Sequence, residues 1–528
     1  MEWRSRGLPL GIGLLLFVAC GDDSGDGGPG GDDTGGSGGS AGTSSSGTGG
    51  KGGGAGGTSS GDAGEGGDPS SGAVGGSSGS GGADGGASGS GPIVEQCVEI
   101  TTFETGLEPE TVLHVTVDGS AQPDGSEENP YGSITAALAA AAPGTAVRLH
   151  AGHYVGDMIV SGIEGTEDAP IWIGGAPGEE RPVIGGENSS VALQLGSPRY
   201  VVLHDLVIED ASGNGINIDD GGHYDDPEAA RYLVFRNLLI RDIGAGGNND
   251  CLKLSGLNDF WVLDSEFSNC SLGGSGIDMV GCHRGLIARN QFLRGGNAVQ
   301  TKGGSEDVEI RSNRFVQNDG RAANIGGSTD LQYFRPPVSA GADNAEARDI
   351  RVVSNVFDRP TEAMAFVGCV GCLTANNTVY LPTTRIVRIL QETVSDETYT
   401  FLPASNGQVV NNLFFFTRSE VENDGRAINI GANTSAATFT YTNNLWYAVD
   451  DVAGSEPTSA YGGATVVGTL EPEDPGFADG ADGDFSIDAA SPAAGAGVDL
   501  EAVPADYLGA CYGMPRAVGA FEVLEEAP

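Results

Sequence analysis

Three lysines occur in 528 residues, Lys51, Lys253 and Lys302, and the last two fall in short alternating runs of one kind. These runs are Cys251-Leu252-Lys253-Leu254-Ser255 and Ala298-Val299-Gln300-Thr301-Lys302, with Gly276-Ile277-Asp278-Met279-Val280 between them. Elsewhere in the region that can fold, the positive side chains are arginine. A lysine amine can be brought to lose its proton near neutrality, whereas a guanidinium cannot, so lysine suits a base. Asp278 could hold one of the two amines in place. The plainer alternative is a pair of solvated lysines sharing Asp278 as counter-ion. His283, in Gly281-Cys282-His283-Arg284, follows the Asp278 run and could supply a proton donor, or simply sit in a turn.

Equivalent runs place more polar residues beside the lysines. They include Gly215-Ile216-Asn217-Ile218-Asp219, Ala322-Ala323-Asn324-Ile325-Gly326, Ala363-Met364-Ala365-Phe366, Ile386-Val387-Arg388-Ile389 and Ala427-Ile428-Asn429-Ile430. Strand alternation points Ile216, Leu252, Ile277, Val299 and Ala323 inward. The opposite parity forms an outward column of Asn217, Lys253, Asp278, Gln300, Asn324, Ala365, Arg388 and Asn429, with neighbours about 4.8 Å apart. Lys302 lies two residues further along on the same face. Such a stripe offers an extended sugar chain a row of hydrogen-bonding groups.

The column requires the runs to be stacked, and a second pattern predicts the stacking. A polar residue, any residue and an apolar one recur at Asp205, Asn237, Ser265, Asn290, Asn313, Asn355, Asn377, Asn412 and Asn444, with shortest spacings of 22, 23 and 25 residues. Self-similarity at that period with β-type alternation predicts an all-β parallel β-helix solenoid. Asn suits the recurring turn because it tolerates left-handed backbone and its amide can bond to the next Asn in the stack.

Composition bounds the partners. A formal charge of −46 disfavours nucleic acid, whose binding rests on neutralising phosphates. Residues 1–19 have the charged start and short apolar core of a secretory signal. Phe17-Val18-Ala19-Cys20 resembles a bacterial lipobox, which implies that Cys20 is lipidated and holds the chain at an outer membrane or cell surface. Residues 20–92 are almost entirely Gly, Ser, Asp, Ala and Thr and read as a disordered tether. The solenoid is expected over 93–447 and a capping segment over 448–528, the whole as a monomer. Seven cysteines remain after Cys20, so at least one thiol is left over from any internal pairing. Cys369-Val370-Gly371-Cys372 lacks the second pair or the βαβ setting that redox or zinc chemistry would need.

The order of strand, short Ala-rich helix from Ser133 to Ala142, Pro-Gly, strand and Gly152-His153-Tyr154 resembles the opening of right-handed parallel β-helix proteins of the pectate-lyase-like superfamily. Asp474-Pro475-Gly476-Phe477 and Val518-Gly519-Ala520-Phe521 resemble their closing segment. The helix is then a cap over the open end of the stack. Ala298-Val299-Gln300-Thr301-Lys302-Gly303-Gly304 further resembles the catalytic-lysine region of polysaccharide lyase family six. That resemblance implies β-elimination on an acidic, uronic-acid-containing polysaccharide, with Lys302 as base and calcium on the sugar carboxylate. The family's arginine position is Ile325 here, with Arg321 as the nearest substitute. Its calcium acids align with Gly295 and Asn297, leaving Asp278 or the loop Asp219-Asp220…Asp225-Asp226 to hold Ca2+. Lys253 or Arg321 would neutralise charge, and His283 would donate a proton. Non-catalytic polysaccharide binding is the second expectation. Glycoside hydrolysis ranks last, since only Asp278 is clearly on the face.

Overall fold

The computed structural model describes residues 97–523 except 187–188, 245–246, 422–426 and 459. Lys51, Cys20, the signal and the whole tether lie outside the described residues. The rest is a parallel β-helix. Three long sheets of 15, 11 and 10 strands are wound so that successive coils add one strand to each. A seven-residue helix, Ile134–Ala140, is capped by the Ser133 hydroxyl accepting from Ala136 N–H. Its buried face packs on the strands Thr111–Val115, Thr145–Leu149 and Met158–Ser161. It thereby covers the open N-terminal end of the core.

The asparagine pattern is a buried ladder. The backbone N–H of Asn290 donates to Asn313 Oδ1 at 2.9 Å, Asn313 to Asn355 at 2.9 Å, and Asn355 to Asn377 at 3.0 Å. Asn377 continues to Asn412 at 3.0 Å and Asn412 to Asn444 at 2.9 Å. Each Nδ2 also donates to the next Oδ1 and back to a carbonyl of an earlier coil, as from Asn355 to Ile310 at 2.8 Å. Phe267, Phe292, Phe315 and Phe357 stack beside it with centroids 4.9, 5.0 and 4.6 Å apart.

Two expectations shift here. The left-handed residue is not the ladder Asn but its predecessor: Arg289, Ser312, Ser354, Asn376, Asn411 and Asn443 all have φ between 50° and 58°. Asp205 and Asn237, themselves left-handed, therefore sit one position ahead of the ladder, whose places are held there by Leu206 and Leu238. The solenoid also runs past residue 447, since Thr465–Val467 pairs with Thr440–Thr442. The C-terminal segment does not simply cap the stack. It runs along the turns, where Asn376, Asn411 and Asn443 amides donate to carbonyls of Ala517, Val498 and Ala496 at 3.0, 2.8 and 2.7 Å.

Cys97–Cys511 joins the start of the described chain to that segment, and Cys251–Cys270 and Cys369–Cys372 also pair. Cys282 is the free thiol among the described residues, and burial pushes it up to about 12.

Asn355→Ala should cost about 3 kcal/mol, because it strands buried donors of Asn313 and removes the two bonds to carbonyls. Asn237→Ala, one place off the ladder and exposed, should cost about 1 kcal/mol or less. Chemical denaturation of both variants reads the difference; equal losses would refute the ladder's register.

Candidate functional site

The ten-stranded sheet carries the lysine face, and its register builds one column. Asn217 pairs with Lys253, Lys253 with Asp278, Asp278 with Gln300, and Gln300 with Asn324. Asn324 pairs with Ala365, Ala365 with Arg388 and Arg388 with Asn429. Upstream the column gains Gln194, whose run Leu193-Gln194-Leu195 carries the same alternation. Inward of it, Ile216, Leu252, Ile277 and Val299 are wholly buried, and that packing turns the polar residues to the other side.

The lysines share this face, but they are sealed. Side-chain exposure is 9% for Lys253, 4% for Lys302 and 1% each for Asp278 and Asp250. The Lys253 ammonium donates to Asp278 Oδ2 and stands 3.5 Å from Asp250 Oδ2, while Lys302 Nζ lies 3.5 Å from the same Asp278 oxygen. Burial would raise the Asp278 carboxyl, but the two ammoniums outweigh it and hold the group below its usual range. Asp250 moves the other way, to about 6, through burial and then the Asp278 charge. Asp250 was not visible as a site residue in the sequence, because it sits on a loop outside the alternating run.

Two inserted segments build a wall beside the face. The first follows strand Arg321–Gly326, and its Gly327 lies so close that an added Cβ would be 3.1 Å from Lys302 Cβ. The second follows strand Arg385–Leu390. They join through the short parallel pair Asp343–Asn344 with Thr400–Phe401 and through Phe334 against Phe401, 5.5 Å between centroids. Phe334 is thus packed inside the wall. Arg335 reaches back to Asp220 at 2.6 Å and covers the glycine turns at Gly256 and Gly281. Glu346 is the clasp. It accepts from Gly303 N–H at 2.8 Å, from Thr329 N–H and Oγ1 at 2.9 Å each, and from Thr393 Oγ1 across the second segment.

The remaining candidates divide. His283 begins a strand of the neighbouring 15-stranded sheet, with Nδ1 at 2.8 Å from Asn258 Oδ1 and Nε2 at 3.1 Å from Gly304 O. Both ring nitrogens are committed, so it presents no donor to the lysine face. Gln300 and Asn324 are joined at 3.0 Å and nearly buried. Arg321 binds Asn324 at 3.2 Å and Glu392 at 2.7 Å. Arg388 grips both oxygens of Glu362, at 2.9 and 2.8 Å, with Arg385 at 2.6 Å from the same carboxylate. Arg321, Arg385 and Arg388 each keep about a fifth of the side chain exposed. Glu362, Arg385 and Glu392 went unnoticed in sequence because no run placed acids and bases together.

Calcium does not fit these residues. Asp278 is committed to two ammoniums, Asp220 to Arg335, and Asp219 to Gln194 Nε2 at 2.9 Å and Gly221 N–H at 2.8 Å. Among the described residues no three His, Cys, Asp or Glu side chains converge as a metal set.

A family model described as a right-handed beta helix region matches residues 190–359. No curated protein matches the sequence. Among solved structures the chain is similar to pectate lyase Pel9A, at 16% identity over 80% of this chain and 98% of that one, TM-score 0.47. It is also similar to an alginate lyase from Paenibacillus sp. str. FPU-7, at 17% identity over 60% and 99%, TM-score 0.38. The PL6 family polysaccharide lyase Pedsa3628 from Pseudopedobacter saltans gives 11% identity over 67% and 95%, TM-score 0.37. The family match and the three stacked parallel sheets agree on a right-handed parallel β-helix.

Burial raises Glu346 from 4.5 to about 7. A folded-state value above the unfolded one contributes stability that is full below the unfolded value and is lost as pH rises through the folded one. The wall should therefore loosen between about pH 4.5 and 7. Hydrogen exchange of residues 327–346 should quicken across that window beyond the intrinsic rate, and Glu346→Gln should flatten the profile. A profile unchanged by the substitution would refute the clasp.

Proposed function

We propose that the chain is a surface-held β-helix that binds an acidic polysaccharide along the outward face of the ten-stranded sheet without cleaving it. One observation carries the reading: the cations on and beside the column divide into a sealed lysine pair and a partly open arginine group. Arg321, Arg385 and Arg388 face Glu362 and Glu392, which leaves one net positive charge in a chain of −46. Planar guanidinium forks suit uronate carboxylates, and Asn217, Gln194 and Asn429 extend the polar row along the solenoid axis. The wall made by the two inserted segments flanks this row and would confine a chain to run along it.

Cleavage by β-elimination asks for more. Lys302 would have to reach a sugar carbon acid as a neutral amine, with the neighbouring carboxylate neutralised. Its ammonium is turned onto Asp278 beneath Gly327, His283 is tied down, and no metal set converges among the described acids. The anchoring half of the proposal rests on Cys20 and the tether, both outside the described residues.

Affinity electrophoresis and calorimetry with alginate, pectate and chondroitin sulfate should find binding to at least one. Arg388→Ala should weaken it by about tenfold, the loss of roughly 1.4 kcal/mol. Release of unsaturated sugar from any of these polymers, read by ultraviolet absorbance, would replace binding with lyase activity; no binding to any would end the polysaccharide reading. In a bacterial host, Cys20→Ala should shift the protein from the membrane to the soluble fraction.

A further inference from the structure

Why the folded part keeps lysine at two places only is answered by what those lysines touch. At the other Lys/Arg ion pairs described, from Arg231–Asp259 to Arg335–Asp220 and Arg388–Glu362, the cation is arginine. Arginine is the better partner for a buried carboxylate, since its fork bonds in two places and it is more weakly hydrated. What lysine adds is the ability to lose a proton and become a nucleophile. Lys253 is closed off from solvent, so an external electrophile does not reach it. The electrophilic carbon beside it is Cγ of Asp278, whose Oδ2 already accepts its hydrogen bond.

Two further features fit a reaction. Asp250 Oδ2 stands 3.5 Å from the Lys253 nitrogen, and its carboxyl, raised to about 6, can take and return a proton near neutrality. Asp278 Oδ1 is buried with no hydrogen-bond partner among the described residues. A buried carboxylate oxygen left so is costly, and the cost falls when the group becomes a neutral amide.

We propose that Lys253 and Asp278 condense into an isopeptide bond that staples two consecutive coils. The Lys253 ammonium passes a proton through Asp250 to Oδ2 of the Asp278 carboxylate, and the free amine adds to Cγ of the acid so formed. The Cγ–Oδ2 bond then breaks. Two of the three ammonium protons, relayed by Asp250, leave on Oδ2 as water, and the third stays on the amide nitrogen. One ammonium and one carboxylate become one amide and one water, with no oxidant or cofactor. Lys302, 3.5 Å from Oδ2, supports the departing oxygen and afterwards keeps its charge opposite Asp250. Four buried charges become two. Because only the folded register brings Lys253 beside Asp278, condensation follows folding. The bond joins coils also held by Cys251–Cys270, and unlike that disulfide it survives reductant.

The test is the mass of the intact, reduced and alkylated protein and of its tryptic peptides. The expected mass is one water below that of the sequence. Trypsin should fail to cut after Lys253 and leave residues 242–284 as one peptide, also one water light, with fragment ions missing between 253 and 278. Lys253→Ala and Asp278→Ala should restore full mass. Asp250→Asn, nearly isosteric and keeping the reacting pair, should fold and stay at full mass for far longer than the parent. A parent at full mass that is cut after Lys253 overturns the proposal, as does a water loss that maps to another peptide. Complete cross-linking in Asp250→Asn overturns the proton route on which it rests.

Discussion

The rest of the molecule depends on the asparagine ladder. Parallel coils have no hairpin turns to set their register, and a slip of one residue would turn every inward side chain outward. From Asn290 to Asn412 each ladder amide bonds both to the next coil and to a carbonyl of an earlier one, so a coil can settle in one register only. The stacked phenylalanines then follow, and so does the column on the opposite sheet. The lysine cluster is a consequence of that register: Lys253, Asp278 and Gln300 are level because their coils cannot slide.

Electrostatics divides the sheet face in two. In a chain of −46 the cations are few, and among the described residues most pair with carboxylates, several on neighbouring coils, as in Arg289–Asp264 and Arg284–Asp259. On the polar face the same habit produces a dry half, where two lysines and two aspartates are covered, and a wetter half around Glu362, where three arginines remain reachable. Dry ion pairs are costly to assemble and suit chemistry within the protein. Partly hydrated guanidiniums suit a ligand that comes and goes.

The division is drawn by the two inserted segments. Each alone is a loop, yet they share a pair of short strands, an aromatic contact and the Glu346 clasp. Together they form a wall that closes over Lys302, while Arg388 stays partly exposed. Solenoids vary by such insertions because each coil tolerates a longer turn without disturbing its neighbours.

Much of this was legible from residue order. The repeat, the strand parity and every member of the outward column from Asn217 to Asn429 follow from alternation, which is a local property. The ladder register at Asp205 and Asn237 was misread because Asp and Asn suit the left-handed place as readily as the ladder place, and only the backbone tells them apart. The roles of Asp250, Glu346 and Glu362, the retreat of His283 to another sheet and the sealing of the lysines were out of reach. Burial and pairing there are set by loops that return from 17 to 115 residues away, as Thr329 does to Glu346 and Arg335 to Asp220. The sequence by itself determined which residues share a face, since that needs only a period of two and a period near 22. Tertiary structure alone decided which of them meet water, because loop closure and desolvation depend on contacts that no local pattern encodes.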